Sequence, residues 1–314
     1  MKLLIIDSNA LLHRSFHALP PLRDKLGNQT GAVYGYLLTL FKAIGDLAPD
    51  FIAATFDTPS PTFRHKKFKA YKAKREKAPD EFYAQIPKTK EVLSALCIPV
   101  YEKQGFEADD VIATIAKKTQ KQQIYPKLDI YILTGDLDTL QLVNKETRIY
   151  TLGRGIKETV VYDSKKVIKR FGLLPAQMVD FKALAGDPSD NIPGAFGIGA
   201  KTATELLQKY KNLENLYLQL EEQKGKDKIK PRTRKLLLEQ KDQVFFSRLL
   251  VKTREDAPVE FKVKKCKFGN FDNKALEKVL EKNGFYSLIK RIPELKEKKE
   301  KKVLEKEKTN GKLF

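Results

Sequence analysis

The sequence predicts an α/β fold with a mostly parallel central sheet and flanking helices. Three apolar runs carry that expectation: Lys2–Ile6, Phe51–Phe56 and Asp129–Thr134 are short and rich in β-forming residues, as buried strands are. Helical patterns separate the first two. Ala10–Ala18 is one, and in Ala32–Ala48 the residues Val33, Leu37, Leu40, Phe41 and Ile44 share a face. Each apolar run also ends in acid, at Asp7, at Asp57 and at Gly135-Asp136-Leu137-Asp138. Ligands of parallel α/β sheets gather at the carboxyl ends of strands. Thr147–Tyr150 and Val160–Tyr162 read as further strands at the sheet edge.

Alone, Asp7 reads as an N-cap for the helix that carries Arg14 and His17. Repetition at Asp57 and Asp136 points to a shared purpose. A fourth acidic group, Gly105–Asp110, opens a helix at Val111–Lys118. Its carboxylates complement a helix macrodipole, but Glu107 and Asp110 stand one turn apart, and such crowding calls for a cation. Asp187 and Asp190 make a fifth group. Nine acids (Asp7, Asp57, Glu107, Asp109, Asp110, Asp136, Asp138, Asp187 and Asp190) are thus expected to converge at one edge of the sheet. An all-oxygen set suits Mg²⁺ or Mn²⁺ rather than zinc. His13, His17 and His65 are the only histidines, and none is placed as a ligand.

The chain of 314 residues is 41% hydrophobic, enough to bury a real core. Sixty Lys and Arg against forty Asp and Glu leave a formal charge of +20, which implies a polyanionic partner, most simply DNA or RNA. Cys97 and Cys266 offer neither a disulfide framework nor a CxxC metal site. Leu3–Ile6 is too short for a signal peptide or a membrane span, so a cytoplasmic protein without membrane contact is expected. Thr62–Lys77 (TFRHKKFKAYKAKREK) interleaves cations with Phe63, Phe68 and Tyr71, a pattern that grips phosphates and stacks on bases. The alternative is a solvated helix whose aromatics pack inward. Lys224–Lys235 is a second basic loop, Leu236–Lys252 and Leu276–Ile289 read as packing helices, and Glu294–Lys308 reads as a solvated helix or a disordered tail.

The stretch Leu184–Lys209 joins two chemistries. After Asp187 and Asp190 comes Pro193-Gly194-Ala195-Phe196-Gly197-Ile198-Gly199, a glycine turn that opens a helix at about Ala200, with Lys201 and Thr202 in its first turn. Glycines admit a close ligand, and a helix N-terminus offers N–H groups to phosphate. A P-loop is excluded: Gly194 and Gly199 have its spacing, but Ala200 stands where the lysine belongs and no strand precedes. The expected role is to hold a nucleic-acid backbone beside the acids.

Five ordered motifs (LLIIDSNALLHRSFHAL, FDTPSPTFRHKKFKAYKAKR, GFEADDVIAT, LTGDLDTLQL and LAGDPSDNIPGAFGIGAKTA) resemble the bacterial 5′-nuclease family, the 5′→3′ exonuclease domain of DNA polymerase I and the flap endonucleases. The likeness covers roughly Met1–Ile292. It implies a PIN-like fold divided at 1–175 and 176–292 before a charged tail at 293–314, with a helical arch at about 62–90. Asp7, Asp57, Glu107 and Asp109, with Asp110 beside them, would form a first metal site. Asp136, Asp138 and Asp190, with Asp187 alongside, would form a second, for two or more Mg²⁺ or Mn²⁺ ions. Arg14, Arg64, Tyr71, Lys72 and Arg75 match residues near the scissile phosphate and in the arch. Gly194–Thr202, including Gly197, Gly199 and Lys201, matches a helix-three-turn-helix that grips duplex DNA and takes K⁺. Leu137 departs from the basic residue usual between the two aspartates.

The expected activity is metal-dependent hydrolysis at DNA 5′ ends or flaps, including RNA primer removal, by a monomer. With no polymerase region after it, the chain resembles the standalone type or a fragment. Two rivals remain: a non-catalytic DNA-binding protein and a PIN-like ribonuclease.

Overall fold

The computed structural model describes residues 1–122, 128–153, 155, 158–222, 229–292 and 295. Six strands form one sheet: β1 Lys2–Asp7, β2 Phe51–Thr55, β3 Val100–Tyr101, β4 Asp129–Leu133, β5 Thr147–Leu152 and β6 Thr159–Tyr162. Their order is β3-β2-β1-β4-β5-β6. The first five run parallel, and β6 pairs antiparallel with β5. The two-residue β3 carries too little pattern to be read from sequence.

The central strands β1, β2 and β4 are covered on both faces, and their period of two divides them between two cores. Leu3, Ile5, Ala53, Ile130 and Ile132 belong to one core; Leu4, Ile6, Ile52, Ala54 and Leu133 belong to the other. In chain order the helices are α1 Ser8–Ala18, α2 Gly31–Leu47, α3 Phe63–Lys67, α4 Asp80–Tyr83, α5 Gln85–Ala95, α6 Ala108–Lys121, α7 Ser164–Phe171, α8 Met178–Ala185, α9 Ala200–Tyr210, α10 Leu213–Glu222, α11 Pro231–Glu239, α12 Lys241–Val251, α13 Asn273–Lys282 and α14 Tyr286–Ile289. The first core joins α6 through Val111, Ile112 and Ile115 and continues into α8, α9 and α10. The second joins α1, α2 and α5.

Two expectations need correction. Leu236–Lys252 is not one helix: α11 and α12 meet at Gln240, whose φ of −111° and ψ of 16° break the helical path. Leu276–Ile289 is not one helix either: α13 ends at Lys282 and α14 begins at Tyr286. Phe268, Phe271, Leu276, Leu280 and Leu288 cross to the opposite sheet face and pack with α2 and α5, because their apolar stripe completes that second core. The basic loop expected at Lys224–Lys235 is described only from Ile229, and α11 opens at Pro231; the charged segment Glu294–Lys308 lies outside the described residues apart from Leu295. Among the described residues no helix is long and apolar enough to cross a membrane.

The sheet order changes direction between β1 and β4, and such a switch point opens a crevice at the carboxyl ends of the strands. Asp7 ends β1 there, and Asp136 follows β4. On the far side of that crevice, α8 runs into a turn in which Asp187 and Ile192 pair through both backbone hydrogen bonds, at 2.9 Å each. A Cβ at Gly194 would meet the nitrogen of Gly186 at 2.3 Å and the carbonyl oxygen of Leu184 at 2.5 Å. The glycine is therefore required by chain packing. Gly194→Ala should lower stability by about 1–3 kcal/mol, read from the urea midpoint, whereas Gly199→Ala, whose Cβ meets nothing within 4 Å, should leave that midpoint unchanged.

Candidate active site

A cavity of about 790 Å³ lies at the switch point, lined by Asp7, Asp57, Glu107, Asp109, Asp136, Asp138 and Asp190 from the expected acid set. Asp7 is held from two sides: Oδ1 accepts the Ala10 N–H (3.1 Å) and Oδ2 accepts the Thr134 hydroxyl (2.6 Å). It is thus both the N-cap of α1 and a wall of the cavity. Burial raises its pKa to about 7 despite these bonds, with Asp57 and Asp136 adding repulsion. Asp57 accepts the Ala108 N–H (2.7 Å), which ties the end of β2 to the start of α6. Asp136 accepts the Asp138 N–H (2.9 Å). The Asp109 side chain makes no hydrogen bond or ion pair among the described residues; burial and the nearby Asp7 and Asp136 push its pKa well up.

Asp187 does not line the main cavity; with Asp138 and Asp190 it lines a small cleft behind it. Carboxylate oxygens of Asp138, Asp187 and Asp190 lie within 4.8 Å of one another. Lys182, at the end of α8, bridges two of them, Asp138 and Asp187 (2.7 Å to the latter). Burial and Asp136 raise Asp138 to about 7 despite the ammonium. Burial would raise Asp187 as well, but Lys182 and the Ser189 hydroxyl (2.6 Å) outweigh it and its pKa falls. Sequence reasoning missed Lys182: nothing marks this lysine until α8 is folded against the turn after β4. It also missed Thr134, which orients Asp7.

The basic segment crosses the cavity mouth. Its backbone is stitched to the acidic turn: the Lys72 N–H donates to the Asp190 carbonyl (2.9 Å), and the Asn191 amide donates to the Ala70 carbonyl (2.7 Å). Lys72 takes a φ of 54° there. Its ammonium lies 3.1 Å from Glu107, and Arg75 pairs with Asp190. The Tyr71 hydroxyl donates to Glu107 and Asp190, 3.1 Å each. Burial and those two carboxylates hold Tyr71 far above the usual phenol range, so it stays a neutral donor. Arg14 lines the cavity, but its guanidinium donates to the carbonyls of Leu152 (3.3 Å) and Gly153 (2.7 Å).

Four expectations are corrected here. Asp110 does not face the cavity: it is fully buried and accepts both arms of the Arg64 guanidinium at 2.8 Å, besides the N–H groups of Glu107 (3.1 Å) and Arg254 (2.8 Å). Arg64 is correspondingly withdrawn from nucleic acid. The cation that the Glu107–Asp110 pair demanded is this arginine. Third, Phe68 and Tyr71 of the basic run pack inward, since their apolar rings have a core to join. Tyr71 is buried, and Phe68 meets Phe246 edge-on with centroids 5.8 Å apart. In this run α3 covers five residues and gives way to turns, because the chain bends down to the Asp190 carbonyl. Fourth, the glycines differ in purpose. Gly194 packs on Gly186, and Gly197 takes a left-handed φ of 82° with Leu236 2.9 Å from its missing Cβ. Of the three, only Gly199 leaves open space for a Cβ; Lys201 is exposed and Thr202 half-buried in the first turn of α9.

Asp110 and Asp109 are adjacent in sequence and opposite in role, and substitution separates them. Asp110→Ala strands a buried guanidinium and should cost about 3–5 kcal/mol in chemical unfolding. Asp109→Ala relieves like-charge crowding and should leave stability equal or higher in the metal-free protein, measured the same way.

The model of the 5′-3′ exonuclease N-terminal resolvase-like domain matches residues 2–172, and that of the 5′-3′ exonuclease C-terminal SAM fold matches residues 173–274. DNA polymerase I of Bacillus subtilis is 37% identical over 293 residues, 93% of this chain and 32% of the relative; that of Mycobacterium tuberculosis is 41% identical over 226 residues, 71% and 25%. The chain spans about a third of the length of such relatives. Among solved structures, T5 5′-exonuclease with bound zinc superposes with a TM-score of 0.66 at 19% identity, covering 90% of this chain and 99% of that one. The catalytic core of Rad2 in complex with DNA substrate gives 0.56 at 20% identity over 93% and 92%. The sequence matches, with a sheet that gathers the acids at its switch point, place this chain in the 5′-3′ exonuclease family.

Proposed function

We propose that this protein is a structure-specific 5′ nuclease that hydrolyses DNA phosphodiesters at 5′ ends and flaps, RNA-primed ends included, in the cytoplasm and as a monomer. The observation that carries the reading is the pairing of an acid-lined cavity with a cationic segment across its mouth. T5 5′-exonuclease with bound zinc, and Rad2 with DNA substrate, support the same reading by analogy of fold.

The donor set fits a hard divalent cation. It is all carboxylate oxygen, and three of those oxygens already stand within 4.8 Å of one another. Asp138, Asp187 and Asp190 would hold one ion, and Asp7, Asp57, Glu107, Asp109 and Asp136 would share a second, Mg²⁺ being preferred. When bound, such ions supply an activated water and Lewis acidity toward the phosphate. Lys72 and Arg75 bind and orient the scissile phosphate as they leave Glu107 and Asp190. Tyr71, a permanent donor, keeps Glu107 and Asp190 aligned. The turn at Gly199 and the first turn of α9, with Lys201 and Thr202, hold the duplex through its backbone without reading sequence, with K⁺ as a candidate ion there.

Cleavage of a 5′-flap duplex should stop in EDTA and return with Mg²⁺. Asp136→Ala should lose most cleavage while still binding the flap in a mobility-shift assay. Full activity in EDTA refutes the reading, and cleavage of matched RNA alone transfers it to the ribonuclease class. Lys72→Ala should reduce the single-turnover rate at saturating enzyme by roughly tenfold or more, with a smaller effect on duplex affinity. A wild-type rate would return Lys72 to a structural role.

A further inference from the structure

We propose that Lys182 competes with a divalent cation for Asp138 and Asp187, giving up its place when the ion binds, and so sets the affinity of the second metal site. The inference rests on the nuclease reading and gives a role to a lysine which that reading left unassigned.

The two acid groups differ in how they are neutralised. Among the described residues, each carboxylate of the Asp138, Asp187 and Asp190 group has an ion pair: Lys182 serves the first two and Arg75 the third. In the other group, among the same residues, only Glu107 is paired, with Lys72 at 3.1 Å and Arg64 at 3.4 Å, while Asp7, Asp57, Asp109 and Asp136 have no ion pair. Lys72, Arg64 and Arg75 belong to the basic segment. Lys182 belongs to α8, the helix that leads into the acidic turn.

The path of the chain builds this contact. Gly186 ends α8 at a φ of 81°, with its N–H on the Lys182 carbonyl (2.8 Å), and the chain then turns so that Asp187 reaches the Lys182 side chain. Lys182 Nζ stands 2.7 Å from Asp187 Oδ2 and also donates to Asp138 Oδ1. Asp187 Oδ1 is engaged elsewhere, by the Ser189 hydroxyl (2.6 Å) and N–H (3.0 Å). Oδ2 is therefore the oxygen that Asp187 can offer to an ion, and the ammonium holds it. Two cations against one oxygen repel, so ion and ammonium exclude each other. Lysine suits such an exchange, because it carries a point charge on a flexible stem and has no fork to lock onto a carboxylate. Its side chain is 20% exposed, against 3% for Arg64, so the ammonium is not sealed in. An ion binds only the fraction of molecules whose oxygens are released, and the lysine weakens the apparent affinity by that fraction.

The test is isothermal titration calorimetry of Mn²⁺ into the full chain, stripped with EDTA and dialysed, with no DNA present. Lys182→Met keeps the length of the side chain and removes its charge. It should tighten one class of Mn²⁺ site about tenfold and leave the other, the factor expected if the released form is about a tenth of the population. Lys182→Arg keeps the charge and should bind Mn²⁺ no more tightly than the unmodified protein. Thermal melting gives a second reading. In EDTA, Lys182→Met should melt lower, because two crowded carboxylates lose their counter-ion, and at saturating Mn²⁺ that deficit should disappear. Lys182→Gln takes the place of the methionine variant if the latter does not melt cooperatively. Unchanged or weaker Mn²⁺ affinity in the folded uncharged variant overturns the proposal, and so does a melting deficit that persists at saturating Mn²⁺ or an arginine variant that binds more tightly. If the unmodified protein binds no Mn²⁺, the metal-dependent nuclease reading itself fails; if it binds and the uncharged variant matches it, only this inference fails.

Discussion

The carboxylate of Asp110 is the point on which the site depends. It is fully buried and accepts four hydrogen bonds, two from Arg64 and one each from the backbone N–H groups of Glu107 and Arg254. The remaining guanidinium donors reach the carbonyls of Leu250 (2.8 Å) and Lys252 (3.1 Å). Burial alone would lower the Arg64 pKa; the Asp110 and Glu107 carboxylates more than reverse it, so the guanidinium stays charged. One ion pair therefore joins α3, the start of α6 and the end of α12. A buried charge is tolerated only when its partner and its spare donors are satisfied, and here both conditions hold. The consequence for function lies one residue away. With Asp110 turned inward at the third position of α6, helix geometry leaves Asp109 at the cavity wall and Glu107 at the helix cap.

Elsewhere the acids are balanced by movable cations. Lys72, Arg75 and Lys182 reach their carboxylates on long side chains, and their ammonium and guanidinium groups are only partly sheltered. The contrast with Arg64 is one of burial. A fully enclosed pair is architecture, while cations at a cavity mouth exchange partners at modest cost. The same division separates Asp187, whose charge Lys182 and Ser189 favour, from Asp109, where burial and the repulsion of Asp7 and Asp136 outweigh the attraction of Lys72.

Much of this was legible in the chain. The central strands β1, β2 and β4 were, because residues buried on both sheet faces must be apolar without interruption, as in parallel strands covered by helices. So was the clustering of acids, because strand ends in such a sheet share one edge. Asp7 caps α1 and lines the cavity at once, since its two oxygens serve different partners. The basic run was less legible. Alternating cations and aromatics look alike whether the rings face solvent or core, and Tyr71 and Phe68 turned inward. Composition carried no sign of Lys182 or Thr134, ordinary residues that acquire meaning only through contacts with residues dozens of positions away.

The sequence by itself determined most of the sheet, its acidic edge, the family and the net positive charge, because these follow from local periodicity, residue type and order along the chain. Tertiary structure alone decided which of two adjacent aspartates faces the cavity, which of three glycines is open, and which cations are locked in. Those choices depend on non-local geometry. A carboxylate becomes architecture when a guanidinium from another helix encloses it, and a glycine becomes obligatory when a distant backbone leaves no room for a Cβ.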